Sequence, residues 1–395
     1  MAKKTIRDIE VKGKRALVRV DFNVPLDIKT GAISNDSRIR AVLPTIKYLV
    51  EHKAKVIICS HLGRPDGKVV EGLRMAPIAQ RLSQLINLPV STASDCIGTD
   101  VEKAVNNLKS GDILLLENLR FHAEEEANDP SFAQALAKLA DIYVDDAFGT
   151  AHRAHASTVG VAKYLPAVAG FLMEKELEAL GSLLTSPEHP FSALLGGAKV
   201  SDKIGLIQNI LGKVDLLLIG GGMAATFLKA QGYEVGLSLV EADKLGLAKE
   251  LIEAAKRNGG ALFLPTDVIV ASSISPEAKG EAVGVNNIPA NKNIVDIGPQ
   301  TVELFSQKIR QCRTVFWNGP MGVYEIEQFA TGTKAMAELL ANSKATTIIG
   351  GGSTTEIVEE MNLANKMTHV STGGGASLKF LEGKSLPGVG VLLDK

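Results

Sequence analysis

The sequence predicts an α/β protein of two doubly wound, Rossmann-like parallel-sheet domains joined by a hinge helix, with a cleft between them. Three observations predict this. The chain has 395 residues, more than one hydrophobic core supports, so two domains of roughly 150 to 200 residues are expected. Its first half alternates short apolar runs with segments of helical spacing, and each run stops at polar residues. Its second half repeats the alternation with glycines at the stops.

In the first half the apolar runs are Ala16 to Val20 before Asp21, Val56 to Cys59 before Ser60, Ile113 to Leu116 before Glu117, and Ile142 to Val144 before Asp145. Continuous runs of this length read as parallel strands buried on both faces. Between them, Arg40 to His52, Met75 to Ile86 and Ser131 to Leu139 carry helical spacing. Strand-helix alternation gives a doubly wound sheet, whose function gathers at the carboxyl ends of its strands.

Phe171 to Leu184, with Pro166 before it and Pro187 after it, mixes apolar and charged residues at helical spacing and reads as the hinge helix. In the second half Ala193 to Leu195 runs into Gly196-Gly197, and Leu216 to Ile219 into Gly220-Gly221-Gly222. Thr346 to Ile349 runs into Gly350-Gly351-Gly352, and His369 to Ser371 into Gly373-Gly374-Gly375. Each stop precedes a helix-compatible stretch.

Composition removes several function classes. A hydrophobic share of 45%, a charged share of 22% and a net charge of -1 describe an ordinary globular chain and argue against nucleic-acid or membrane-surface binding. Cys59, Cys96 and Cys312 form no C-x-x-C pair, which speaks against a disulfide framework or a thiolate metal site and for a reducing cytoplasm. No apolar run is long enough for a membrane span and no export signal is read at the N-terminus.

The chemistry is carried by two groups of residues. At the strand ends of the first half stand Asp21 and Asn23, His61 and Arg64, Arg120 with His122, and His152, Arg153 and His155, while Arg38 opens the following helical segment. One such arginine is most simply a solvated surface residue. Arg38, Arg64, Arg120 and Arg153 on one rim instead make a receptor for a compact polyanion, because guanidinium groups bind phosphate and carboxylate bidentately. The H-x-x-H of His152 and His155 reads as anion contact or loop polarity in preference to a metal pair, and Glu124-Glu125-Glu126 as a solvated loop or helix start.

In the second half, glycine lets backbone N–H groups approach phosphate oxygens, and a following helix N-terminus favours negative charge. No stretch matches G-x-x-x-x-G-K-[ST] or the full G-x-G-x-x-G. Lys199 and Lys203 are expected on one helix face at this phosphate rim. No Ser-His-Asp or Cys-His nucleophile is evident. Phosphoryl transfer to an oxygen that is already anionic needs positioning and charge neutralisation, not a base.

These residues resemble the phosphoglycerate kinase family over the whole chain. Arg19-Val-Asp-Phe-Asn-Val-Pro25, Ser60-His-Leu-Gly-Arg-Pro65, Glu117-Asn-Leu-Arg-Phe121 and Asp146-Ala-Phe-Gly-Thr-Ala-His-Arg153 resemble its substrate motifs. Gly196-Gly-Ala-Lys-Val-Ser-Asp-Lys203, Trp317-Asn-Gly-Pro320 and Ser371-Thr-Gly-Gly-Gly-Ala-Ser377 resemble its nucleotide motifs.

The resemblance implies reversible transfer of the acyl phosphate of 1,3-bisphosphoglycerate to ADP, direct and in line after hinge closure. It implies a substrate domain over 1–168 with 381–395 packing back on it, a hinge helix over 169–185 and a nucleotide domain over 186–380. The substrate is expected on Asp21, Phe22, Asn23, Arg38, His61, Leu62, Gly63, Arg64, Arg120 and Arg153. The nucleotide is expected on Gly196, Gly197, Lys199, Lys203, Gly220, Gly221, Asn318, Pro320, Glu325, Gly351, Gly352, Ser353 and Thr354. Arg38, Lys199, Gly373 and Gly374 are expected to neutralise the phosphoryl group in flight.

Magnesium is implied as Mg-ATP or Mg-ADP, and a monomer is implied without nucleic-acid or membrane partners. The family usually has Gly-Gly-Gly-Asp-Thr where this chain has Gly350-Gly-Gly-Ser-Thr354, so Ser353 stands where a carboxylate would hold the metal. Glu356, one turn on, is a candidate substitute. An acid phosphotransferase with another substrate such as acetate, or a kinase impaired by Ser353, are the alternatives. A two-domain solute-binding protein would need an export signal and would have no use for repeated glycine cradles.

Overall fold

The computed structural model describes residues 2–27, 30–257 and 261–395. The chain divides into two compact units, one running to Glu178 and including Ser385–Lys395, the other spanning Ala179–Lys384.

In the first unit β1 (Arg15–Val20), β2 (Lys55–Cys59), β3 (Val90–Thr92), β4 (Ile113–Leu115), β5 (Ile142–Asp146) and β6 (Ala167–Ala169) form one sheet in the order β3-β4-β2-β1-β5-β6. Every pairing is parallel, with Arg19 beside both Cys59 and Asp145. The four anticipated strands are present, and β3 and β6 were not anticipated. At three residues each, and with β3 largely accessible, they lack the long apolar run that marks the other four.

Helices Ser37–Glu51 and Ala76–Ile86 lay Ile39, Val42, Ile46, Ile78 and Leu82 on Ala16, Val18, Val20, Val56 and Ile58 of the central strands. The first of these helices begins before the expected Arg40, which puts Arg38 in its opening turn. Helix Phe171–Thr185 carries the chain across the division. Its N-terminus is capped by buried Asp146, whose Oδ1 accepts from the N–H groups of Leu172 and Met173 at 2.9 and 3.1 Å. The C-terminal tail bonds into the same unit: Lys4 N donates to Leu393 O at 2.8 Å and Leu393 N to Ala167 O at 3.0 Å. The changeover falls at Ser385, four residues beyond the expected 381, because helix Gly375–Leu381 is held in the second unit, with Asn209 Nδ2 donating to Leu381 O.

In the second unit β7 (Phe191–Leu195), β8 (Leu216–Ile219), β9 (Ala261–Phe263), β10 (Asp267–Ala271), β11 (Glu281–Gly284), β12 (Asn293–Ile297), β13 (Thr314–Asn318), β14 (Thr346–Gly350) and β15 (His369–Val370) form two sheets. The six-stranded sheet has the order β15-β14-β13-β7-β8-β9 and is parallel throughout. An antiparallel sheet, β11-β10-β12, is an addition to the expected architecture. Among the described residues no helix is long and apolar enough to cross a membrane.

Candidate functional site

In the first unit, the ends of β1, β2, β4 and β5 bring basic residues around one carboxylate. Arg38 NH1 pairs with Asp21 Oδ2 at 2.6 Å, and His61 Nδ1 lies 4.0 Å from Asp21 Oδ1. Asn23 Oδ1 accepts from Gly63 N at 2.8 Å, and Arg120 NH1 donates to Gly63 O at 2.8 Å, so the loop after β2 is tied to both neighbours. Phe22 and Leu62 are fully buried behind this loop, donating their N–H groups to Ser60 Oγ and Asn118 Oδ1. Arg64 is exposed, and Arg153 is half-buried, with its Nε donating to His152 Nε2 at 3.3 Å.

One member of the expected rim and one residue expected in solvent are used differently. His122 turns to Asp95, with Nε2 to Oδ1 at 2.7 Å. Glu125, expected to be solvated, lies in the short helix Ala123–Glu126 but is completely buried, because it anchors a network beneath the rim. Its oxygens accept from Ser157 Oγ at 2.5 Å and Ser157 N at 2.9 Å, and lie 3.8 Å from His155 Nδ1. Ser157 Oγ in turn accepts from Arg19 Nε at 2.9 Å, and Arg19 NH2 donates to His61 Nδ1 at 3.2 Å. Arg19, 1% exposed, is the central residue that was overlooked, since a buried arginine and a solvated one look alike in sequence.

The electrostatics follow from this crowding. Burial, reinforced by Arg19, Arg120 and Arg38 against the pull of Asp21, holds the His61 imidazole well below its ordinary value, so it is neutral at pH 7. Burial, Arg19, Arg120 and Arg153 likewise lower His155 to about 4. Burial and the nearby Arg153 and Arg19 lower even Arg120, despite Glu126. Burial would raise the Asp21 carboxyl, but Arg38, Arg19 and the Asn23 N–H hold it below its ordinary value. Arg19, Arg38, Arg120 and Arg153 are thus close enough to these histidines to oppose their protonation.

In the second unit the glycine-marked strand ends are knitted to one another. Gly196 N donates to Asn318 O, Gly197 N to Pro320 O, Gly220 N to Leu195 O and Gly221 N to Met321 O, all at 2.8 to 3.0 Å. These N–H groups are therefore paired within the protein, and the glycines serve close backbone approach in place of the expected phosphate contact. A Cβ on Gly221, whose φ is +65°, would sit 2.6 Å from Gly197 N. The orphan donors that remain belong to the first turns of helices Gly352–Glu360 and Gly375–Leu381.

Lys199 and Lys203 do not share a helix face: the helix starts at Ile204, after a loop in which Lys199 is exposed and Lys203 is buried. Glu241 organises this loop by accepting from Val200 N at 2.6 Å and Ser201 N at 3.1 Å. Lys203 Nζ bonds Asn318 Oδ1, and burial lowers its ammonium to about 8, against the opposing effect of Asp202. Asn318 Nδ2 is buried without a partner and faces Gly351, where an added Cβ would lie 2.8 Å from it. Thr354 Oγ1 accepts from Gly319 N at 2.7 Å, and Gly373 N donates to Ser371 Oγ at 3.1 Å. Ser353 and Glu325 are exposed, Gly352 opens its helix, and Gly374 stands immediately before the next one.

The family model described as phosphoglycerate kinase matches residues 6–384. Curated proteins named phosphoglycerate kinase from Pelotomaculum thermopropionicum and Moorella thermoacetica are 58% and 57% identical, each aligned over the full length of both chains. Two solved structures each match 98% of this chain and 98% of their own. One is phosphoglycerate kinase from Coxiella burnetii, with a TM-score of 0.88 and 43% identity; the other is that from Pyrococcus horikoshii OT3, with 0.86 and 35%.

Proposed function

The chain belongs to the phosphoglycerate kinase family, whose members are phosphotransferases of glycolysis, and we propose that it moves the acyl phosphate of 1,3-bisphosphoglycerate reversibly to ADP, giving ATP and 3-phosphoglycerate. The observation that carries the reading is the crowding of Arg38, Arg120 and buried Arg19 around His61 and Asp21, close enough that all three lower the His61 imidazole. A small ligand with a phosphate at one end and a carboxylate at the other meets that charge. Asp21, Asn23, Arg38, His61, Gly63, Arg64, Arg120 and Arg153 hold it, with Phe22 and Leu62 fixing the backbone. The protein acts as a cytoplasmic monomer.

The nucleotide takes the second unit. Lys203 and the unpaired Asn318 Nδ2 supply buried donors, and the first turns at Gly352 and Gly375 supply N–H groups for phosphate oxygens. Gly196, Gly197, Gly220, Gly221, Pro320 and Thr354 shape the floor; Glu325 serves the ribose. Arg38, Lys199 and the Gly373-Gly374 turn neutralise the phosphoryl group during transfer. The attacking carboxylate or phosphate oxygen is already anionic, so neutral His61 has no proton to remove.

The rate of ADP formation from ATP, with and without 3-phosphoglycerate and with acetate as the control acid, tests the reading. Turnover that depends on phosphoglycerate is expected. Turnover with acetate alone overturns it.

The magnesium that accompanies the nucleotide supplies charge neutralisation between phosphates. Ser353 offers an exposed neutral hydroxyl, and Glu356, one turn on, accepts from the Tyr324 hydroxyl at 3.5 Å. This donor set fits an ion brought by the nucleotide and completed by Ser353 or water, not one anchored by the protein. Ser353→Asp is therefore expected to lower the magnesium concentration needed for half-maximal rate, and identical metal curves would remove Ser353 from metal handling.

Lys203 gives a pH signature. Its ammonium holds a phosphate only while protonated, and in the free protein it deprotonates near pH 8. Between pH 7 and pH 9 ADP binding is expected to weaken by about tenfold. Calorimetric titration of Lys203→Met should show weaker binding without that decline; an equal decline in the variant would assign it to another group.

A further inference from the structure

A second group of chemically active side chains lies in the first unit and takes no part in the sites described. Asp95 and Cys96 stand between β3 and helix Thr99–Asn106, and His122 follows the turn Leu119–Phe121 beyond β4. One ligand atom from each of the three lies within 4.8 Å of the others. Asp95 Oδ1 is 2.7 Å from His122 Nε2 and accepts from Cys96 N at 2.6 Å, so a carboxylate oxygen and an imidazole nitrogen already converge beside the cysteine.

Burial is graded across the group. Cys96 is 0% exposed, whereas the His122 and Asp95 side chains are 26% and 48% exposed. The thiol thus forms a floor, with nitrogen and oxygen at an open mouth. Three donors of three kinds, with room for water at the mouth, suit an ion that accepts sulfur, nitrogen and oxygen in tetrahedral geometry. Magnesium is excluded from such a set, since it requires oxygen ligands and an octahedral shell.

We propose that Asp95, Cys96 and His122 bind Zn2+ or a similar borderline divalent ion, with water as the fourth ligand. Binding forms bonds from the metal to Cys96 Sγ, His122 Nε2 and an Asp95 carboxylate oxygen. The Sγ proton passes to solvent, the Asp95–His122 hydrogen bond is broken, and the His122 Nε2 proton leaves to solvent while Nδ1 carries the ring proton, freeing the Nε2 lone pair for the metal. The ion ties the segment after β3 to the turn that carries Arg120, two residues before His122.

The test is titration of the full chain with Co2+ under excess Mg2+. A thiolate-to-cobalt charge-transfer band, with the intense visible bands of tetrahedral cobalt, should saturate at about one ion per chain and disappear when Zn2+ is added. Cys96→Ser should lose the charge-transfer band while circular dichroism confirms its fold. His122→Gln should weaken binding by at least about tenfold, and it decides the matter if Cys96→Ser does not fold. The proposal is overturned by absence of the band at saturating Co2+, by a band that survives in Cys96→Ser and so belongs to Cys59 or Cys312, or by unchanged affinity in His122→Gln. The His152–His155 pair contains no sulfur and cannot imitate the signal.

Discussion

Arg38→Ala is expected to lower turnover by about 10²–10³-fold while changing the KM for 3-phosphoglycerate far less. One guanidinium nitrogen of Arg38 is fixed to Asp21 at 2.6 Å, and the side chain is 37% exposed, so its remaining donors face outward from an anchored position. An anchored, partly exposed cation contributes most where negative charge develops and least where a ligand already rests on Arg120 and His61. Steady-state kinetics on a variant with native circular dichroism checks this. Unchanged turnover would remove Arg38 from the catalytic group, and a rise in KM alone would make it a binding residue.

The largest effect on stability is expected at Glu125. Replacing it with leucine leaves the Arg19 guanidinium buried without the carboxylate that it reaches through Ser157, a loss of about 3–5 kcal/mol. In a unit of this size that lowers the melting midpoint by roughly 6–20 °C. Arg19→Met combined with Glu125→Leu should recover much of the loss, because a buried charge network can often be exchanged for apolar contacts. Thermal unfolding followed by circular dichroism reads both outcomes. A Glu125→Leu midpoint within a degree or two of native would mean that Glu125 carries little of the charge balance.

The strands that sequence reveals most plainly are those buried on both faces. Val56 to Cys59 and Leu216 to Ile219 have no polar face to interrupt the apolar run, so their period and length leave little choice. β13 was passed over as a strand because Trp317 and Asn318 read as a motif, although they end a ladder between β14 and β7. The antiparallel sheet has no such signature, since β11 is largely exposed and β10 carries a bulge between Ile269 and Val270.

The residue types of the candidate site were visible in sequence, whereas their surroundings were not. Glu124, Glu125 and Glu126 look identical in sequence, and only packing sends the middle one inward. Lys199 and Lys203 have helical spacing, but Glu241, distant in sequence, holds the intervening loop open. The glycines read as phosphate cradles in sequence; that the N–H groups of Gly196, Gly197, Gly220 and Gly221 pair with neighbouring strand ends is a matter of register.

The tail at Ser385–Lys395 has a consequence for the order in which the protein is made. Synthesis releases the first unit's sheet early, yet the edge at Ala167–Ala169 keeps an unpaired carbonyl until Leu393, translated after the whole of the second unit, arrives to donate to it. The second unit, continuous in sequence from Ala179 to Lys384, is complete before Leu393 is made. The half that begins first is therefore completed after the other, and a translation product that stops just short of Ser385 carries its defect in the unit that was begun first, away from the break.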